Sequence, residues 1–153
     1  MRTVVQRVNR ASVTIDGKVT GEIGKGLLVF LAISNSDNSE IMRWMCNKLV
    51  NLRIFPDEEG KMNKSVLDTG GGILLISNFT LYGDASKGFR PSFIKSAPPE
   101  ISKPLYESMV LYLKENYPLH IASGEFGAMM DIELVNDGPV TIIIEKEVDS
   151  NYQ

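Results

Sequence analysis

The chain has 153 residues, a length that suits one domain around one core. Its content is 43% hydrophobic and 23% charged, ordinary for a soluble globular protein, and its net charge of −3 argues against a broad basic face for gripping nucleic acid. The single cysteine, Cys46, excludes an intramolecular disulfide, and no run of about 18 apolar residues exists to span a membrane.

Residues 3–9 alternate loosely and predict a first strand. Ser12-Val13-Thr14-Ile15 and Lys18-Val19-Thr20 flank Asp16-Gly17, a two-residue hairpin signal. Gly26 to Ile33 is a fully apolar run and predicts a central strand buried on both faces. Asp37, with Glu40 three residues on, resembles a capping box. A helix is expected from there to about Asn51, with Ile41, Trp44, Met45, Leu49 and Leu52 as its apolar stripe, interrupted by Lys48. Cys46 lies in that stretch and reads as a buried structural thiol. Leu52 to Phe55 predicts a short strand stopped by Pro56. Residues 57–72 carry Gly60, Asn63, Asp68 and three glycines, and read as a long irregular connection. In so small a domain such a connection is more often functional than idle.

Ile73 to Ile76 is a second buried-strand run, and it then turns polar at Ser77, Asn78 and Thr80. Buried polar groups cost roughly 1–3 kcal/mol each unless paired. The pattern alone leaves two readings: a strand leaving the core into a Tyr-Gly-Asp turn, or a strand end lining a site. Lys87 to Phe93 is the basic-plus-aromatic cluster of the chain. It reads either as an RNA contact or as a surface loop pinned by Phe89 and Phe93. Pro98-Pro99 opens a helix whose buried face is Leu105, Tyr106, Met109, Val110 and Leu113, ended by Tyr117-Pro118. Ala128–Val135 and Val140–Glu145 predict two further strands around the hairpin-like tip Asn136-Asp137-Gly138-Pro139. X-Pro bonds in folded proteins are cis only about 5–6% of the time, so the default at Gly138-Pro139 is trans.

Metal and triad chemistry find little support. His120 is the one histidine, set between Leu119 and Ile121, and reads as packed or partly exposed rather than catalytic. Gly24-Lys25-Gly26 and Gly70-Gly71-Gly72 lack the Lys-Ser/Thr ending of phosphate loops and read as turns.

Taken together, several stretches resemble one family closely. They are Val4-Val5-Gln6-Arg7-Val8, Leu52-Arg53-Ile54-Phe55, Gly60 to Val66, Ser77-Asn78-Phe79-Thr80-Leu81-Tyr82-Gly83-Asp84, Lys87 to Phe93, Phe126-Gly127-Ala128 and Asn136 to Thr141. The family is the D-aminoacyl-tRNA deacylases of the bacterial and eukaryotic type, and the resemblance runs from about residue 1 to 145. It implies an α+β fold: mostly antiparallel, barrel-like sheets with two main helices packed against them, as a single domain over residues 1–153. It implies hydrolysis of the ester joining a D-amino acid, or glycine, to the terminal adenosine of tRNA. It implies a cytoplasmic homodimer with tRNA as partner, and no metal, cofactor or membrane. Thr80, Ser77, Asn78 and Phe79 are the implied catalytic residues, and Gly138, Pro139, Leu81, Phe126 and Met130 the implied substrate-binding ones. A cis Gly138-Pro139 bond is implied to reach into the partner subunit's site and exclude an L side chain.

Two positions depart from the family pattern. Asn78 stands where glutamine is usual, and Met129 where an acidic residue is common. The chemistry has two readings. Thr80 is a nucleophile, or a water acts with the ribose 2′-OH while Thr80 shapes the pocket. No general base lies beside Thr80 in sequence, and the second reading, which the family resemblance supports, is preferred. The alternative to an enzyme is a dimeric RNA- or nucleotide-binding module that uses Lys87 to Phe93. A purely structural dimer is a third reading.

Overall fold

The computed structural model describes residues 1–149, so the final four residues of the expected single domain lie outside it. The chain begins with a long strand, β1 (Arg2–Ile15), which turns back into β2 (Lys18–Ile23). Asp16 and Gly17 form the turn at φ 49° and 77°, as a two-residue hairpin with both central residues left-handed requires. The expected separate strands at 3–9 and 12–15 are therefore one, since β1 runs through both. Next come β3 (Gly26–Ala32) and the helix α1 (Ser39–Asn51).

The cap of α1 is Asn38, whose side chain accepts from the Ile41 N–H at 3.0 Å. This corrects the Asp37–Glu40 box. Asp37 is taken by the Met1 ammonium at 2.6 Å and the Ser34 N–H at 2.7 Å, leaving the cap to its neighbour.

The strand expected at Leu52 to Phe55 is shorter and shifted. Only Phe55–Pro56 pairs, as β4, with β5 (Met62–Lys64), and Pro56 lies inside the pair instead of before it. The stretch read as irregular also holds a short helix, α2 (Val66–Thr69). Ser65 and Asp68 bond reciprocally across its first turn, a spacing the sequence carried. That bonding from the Ser65 N–H holds the Asp68 carboxyl below its ordinary value.

After α2 come β6 (Gly72–Ser77), a 3₁₀ turn (Phe79–Tyr82), α3 (Pro99–Asn116), β7 (His120–Ser123) and β8 (Asp131–Glu145). α3 starts at its prolines as expected, with Tyr106, Met109 and Leu113 buried. The sheet is mixed. β1 pairs antiparallel with β2, β3 and β8, whereas β3–β6 and β6–β7 are parallel. His120 bonds the Glu22 carbonyl through Nε2 at 2.9 Å, drawing β7 toward β2 and nearly closing a barrel. Gly26 and Gly72 pair so tightly that a Cβ on Gly26 meets the Gly72 carbonyl oxygen at 1.9 Å.

The sheet's central strands bury both faces, which explains their unbroken apolar runs. Leu27, Val29, Leu31, Ile73 and Leu75 pack toward α1 and α3. Leu28, Leu74 and Ile76 pack on the opposite side with Val8, Val13 and Ala122. Cys46 lies in the first cluster, and burial pushes its thiol up to about 12, in keeping with a structural role.

The tip at Asn136 to Pro139 is not a hairpin. Asp131–Asn136 pairs with Thr14–Val8 and Thr141–Glu145 with Gln6–Arg2, so both halves of β8 run along the same partner in one direction. The residues between them bulge out of the ladder, and Gly138 and Pro139 are exposed. The Gly138-Pro139 bond is cis, not the trans default. Arg7 holds the bulge down. Its Nε donates to the Asp137 carbonyl and contacts the Asp137 carboxylate, both at 3.1 Å, and its Nη1 donates to the Ile54 carbonyl at 2.6 Å.

Candidate active site

A groove of about 630 Å³ opens where β3 and β6 end side by side. Phe30, Leu31 and Ile33 form one wall, and Ile76, Ser77, Asn78 and Phe79 another. The start of α3 contributes Pro99 and Ser102, and the segment after β7 closes the groove with Phe126 to Met130. No titratable side chain lines it. Its polar side chains are Ser77, Asn78 and Ser102, set among aliphatic and aromatic groups.

The polar strand end is a turn held from several sides. Asn78 donates its N–H to the Leu31 carbonyl at 2.7 Å, which continues the strand pairing one residue past β6. The chain then tightens into the 3₁₀ turn, where Gly83 N–H bonds the Thr80 carbonyl at 2.9 Å. Arg2 caps the Leu81 carbonyl through Nη1 at 2.8 Å and lies over the Tyr82 ring, 4.8 Å from its centre. Ser96 Oγ donates to the Phe79 carbonyl at 2.9 Å. Among the described residues, the N–H groups of Phe79 and Thr80 bond no carbonyl, as expected at the start of a helical turn. Phe79 lines the groove, and Thr80 follows it in the turn.

Ser77, Asn78, Phe79, Phe126 and Met130 are thus brought together from two separate stretches. Thr80 does not line the groove; it is exposed on the turn after Phe79, with its hydroxyl donating to Asn78 Oδ1 at 2.5 Å. Leu81 does not line the groove; its N–H donates to the Asn78 carbonyl at 3.3 Å and its carbonyl accepts from Arg2. Gly138 and Pro139 do not line the groove of their own chain. Met130 is placed by Gly124, where a Cβ would meet its sulfur at 2.5 Å. Phe126 is half-buried, with its ring 6.1 Å from that of Tyr106.

Sequence reasoning missed Ser102, Ala97 and Phe30 as lining residues. Ser102 had a signal: it is a hydroxyl one turn before the apolar face of α3, at Leu105 and Tyr106. Tyr82 and Tyr106 lie nearby, and burial pushes each phenol up to about 12, so both stay protonated at neutral pH and neither is a base there. Among the described residues no three His, Cys, Asp or Glu side chains gather as metal ligands. Nor is any helix there long and apolar enough to cross a membrane.

Comparison with known proteins identifies the family. Residues 4–145 match the sequence model of the family described as D-Tyr-tRNA(Tyr) deacylase. The chain is 53% identical over 147 residues to a D-aminoacyl-tRNA deacylase of Petrotoga mobilis, covering 96% of this chain and 98% of that one. It is 54% identical to a D-aminoacyl-tRNA deacylase of Fusobacterium nucleatum, covering 100% of both chains. A solved structure described as c-Myc DNA unwinding element binding protein superposes with a TM-score of 0.91 at 43% identity, covering 97% of this chain and 100% of that one. One described as a probable eukaryotic D-amino acid tRNA deacylase shares the fold, at a TM-score of 0.78 and 18% identity over 94% of this chain and 97% of that one. The matches place the protein in the class of hydrolases that act on aminoacyl-tRNA. Within that class the chain belongs to the D-Tyr-tRNA(Tyr) deacylase family.

Proposed function

We propose that this chain hydrolyses the ester between a D-amino acid and the 3′-terminal adenosine of tRNA, and that it also accepts glycyl-tRNA. The observation that carries the mechanism is a groove with no titratable side chain in its lining, met by a turn whose Phe79 and Thr80 N–H groups bond no carbonyl among the described residues. A water adds to the ester carbonyl, and the charge that develops on its oxygen is met by the N–H groups of Phe79 and Thr80. The C–O bond to the ribose 3′ oxygen breaks, and that oxygen takes up a proton. With no base in the lining, the ribose 2′-OH orients the water and relays its proton. Asn78 and Thr80 shape the turn that presents the donors.

Chirality falls to Gly138 and Pro139 of a second copy in a homodimer. Their exposure on a bulge pinned by Arg7 supports this reading. Backbone carbonyls there accept from the substrate ammonium, and an L side chain is refused by collision. The test is turnover of D-Tyr-tRNA and L-Tyr-tRNA by the purified protein. Loss of the D ester with retention of the L ester is expected.

A second reading, a nucleic-acid-binding module without chemistry, has one observation in its favour. The solved structure similar at 43% identity is described as a DNA unwinding element binding protein. Stable binding of D-Tyr-tRNA with no ester loss would favour that module.

A further inference from the structure

The loop between the 3₁₀ turn and α3 is exposed from Asp84 to Lys95 without a break. Both its ends are braced on the groove. Asp84 and Ser92 exchange two backbone bonds at 2.8 and 2.9 Å. Asp84 also accepts from the Ser86 N–H at 2.9 Å. Phe93 meets Phe79, a groove residue, edge to face with ring centres 5.3 Å apart. Ala97, at the far end, lines the groove and bonds the Ile33 carbonyl at 2.8 Å.

Phe93 therefore pins the loop, whereas Phe89 pins nothing: its side chain is 105% exposed. A large aromatic in full contact with water forgoes roughly 1.5–3 kcal/mol of burial. Lys87 and Arg90 flank it, with Lys95 further along. None of the three cations makes an ion pair among the described residues. The loop thus sets three cations against one carboxylate in a chain whose net charge is −3.

We propose that Lys87, Phe89 and Arg90 form a platform for the single-stranded nucleotides that precede the terminal adenosine of the tRNA. Phe89 stacks on a base, and Lys87 and Arg90 contact phosphates. This rests on the reading of the groove as the aminoacyl-adenosine site. The platform adjoins that groove through Phe93 and Phe79, so a strand leaving the groove passes over it. Its sign and its aromatic suit RNA, whose bases all offer a stacking face.

The experiment compares two substrates, D-Tyr-tRNA and the short ester 3′-O-D-tyrosyl-adenosine, which lacks the preceding nucleotides. Phe89→Ala should raise KM for D-Tyr-tRNA by roughly 5- to 150-fold with kcat unchanged. Lys87→Ala with Arg90→Ala should reduce the slope of log affinity against log salt by about 1.4, two phosphate contacts on a single strand. All variants should hydrolyse the short ester at the wild-type rate. Equal losses on both substrates would overturn the proposal, because the loop would then merely shape the groove. So would unchanged KM for D-Tyr-tRNA, or a change in native mass, which would make the loop a contact between copies of the chain. If the wild type cleaves neither ester, the hydrolase reading fails instead. Binding of uncharged tRNA by the same variants then decides the platform: loss of affinity upholds it, and unchanged affinity refutes it.

Discussion

The Thr80 hydroxyl donates its one proton to the Asn78 side-chain oxygen at 2.5 Å. An amide oxygen accepts a hydrogen bond but does not take the proton away, so this contact does not activate Thr80 as a nucleophile. It braces the turn that carries the Phe79 and Thr80 N–H groups.

Thr80→Ala should accordingly slow single-turnover hydrolysis of D-Tyr-tRNA by about tenfold. That is the scale of one hydrogen bond in a positioning role. Loss of a covalent nucleophile costs several orders of magnitude. A fall of that size, together with an acyl-enzyme trapped on the wild type, would make Thr80 the nucleophile.

Arg7 reaches the Asp137 and Ile54 carbonyls with separate nitrogens of one planar fork. Lysine has a single point charge and cannot hold both. Arg7→Lys should lower kcat/KM for D-Tyr-tRNA by about 10-fold, the worth of one charge-assisted bond at the low end of its range. Its cleavage of L-Tyr-tRNA should rise relative to the D ester. A lowered thermal midpoint with kcat/KM and the D/L ratio intact would show that Arg7 serves the fold alone.

Much of this organisation is legible in the sequence where its causes are local. Asp16-Gly17 dictates a hairpin by its own backbone preferences, and Pro98-Pro99 starts α3 for the same reason. The apolar runs at Gly26 and Ile73 announce strands buried on both faces. What fails is non-local. Asp37 looks like a cap until the Met1 ammonium, 36 residues away, claims it. Asn136 to Pro139 looks like a hairpin tip, because no local signal says that both flanking strands pair with β1. In the groove, Ser77 to Phe79 stand out as a polar strand end. Ser102 carries only a weak signal, a hydroxyl one turn before the apolar face of α3, and the packing of α3 against the sheet makes it a wall.

Alkaline stability follows from Cys46. Burial raises its thiol to about 12 from an ordinary 9.0, so above pH 9 the unfolded chain releases a proton that the folded one keeps. Its contribution is complete below pH 9 and declines as pH rises toward 12. Tyr82 and Tyr106, raised to about 12 from 10.0, add to the decline only above pH 10. The urea midpoint should therefore fall from pH 9 upward, and Cys46→Ala should delay that onset to about pH 10. An unchanged onset in the variant would reject the assignment.

The most direct measurement replaces the terminal adenosine of D-Tyr-tRNA with 2′-deoxyadenosine and follows ester loss under single turnover. No titratable side chain of this chain lines the groove, and the proposed mechanism gives the proton relay to the ribose hydroxyl. The account predicts a rate reduced by at least about 100-fold, the lower end of what a positioned acid–base group contributes, with binding retained. A deoxy substrate cleaved as fast as the natural one would contradict it and place the base in the protein.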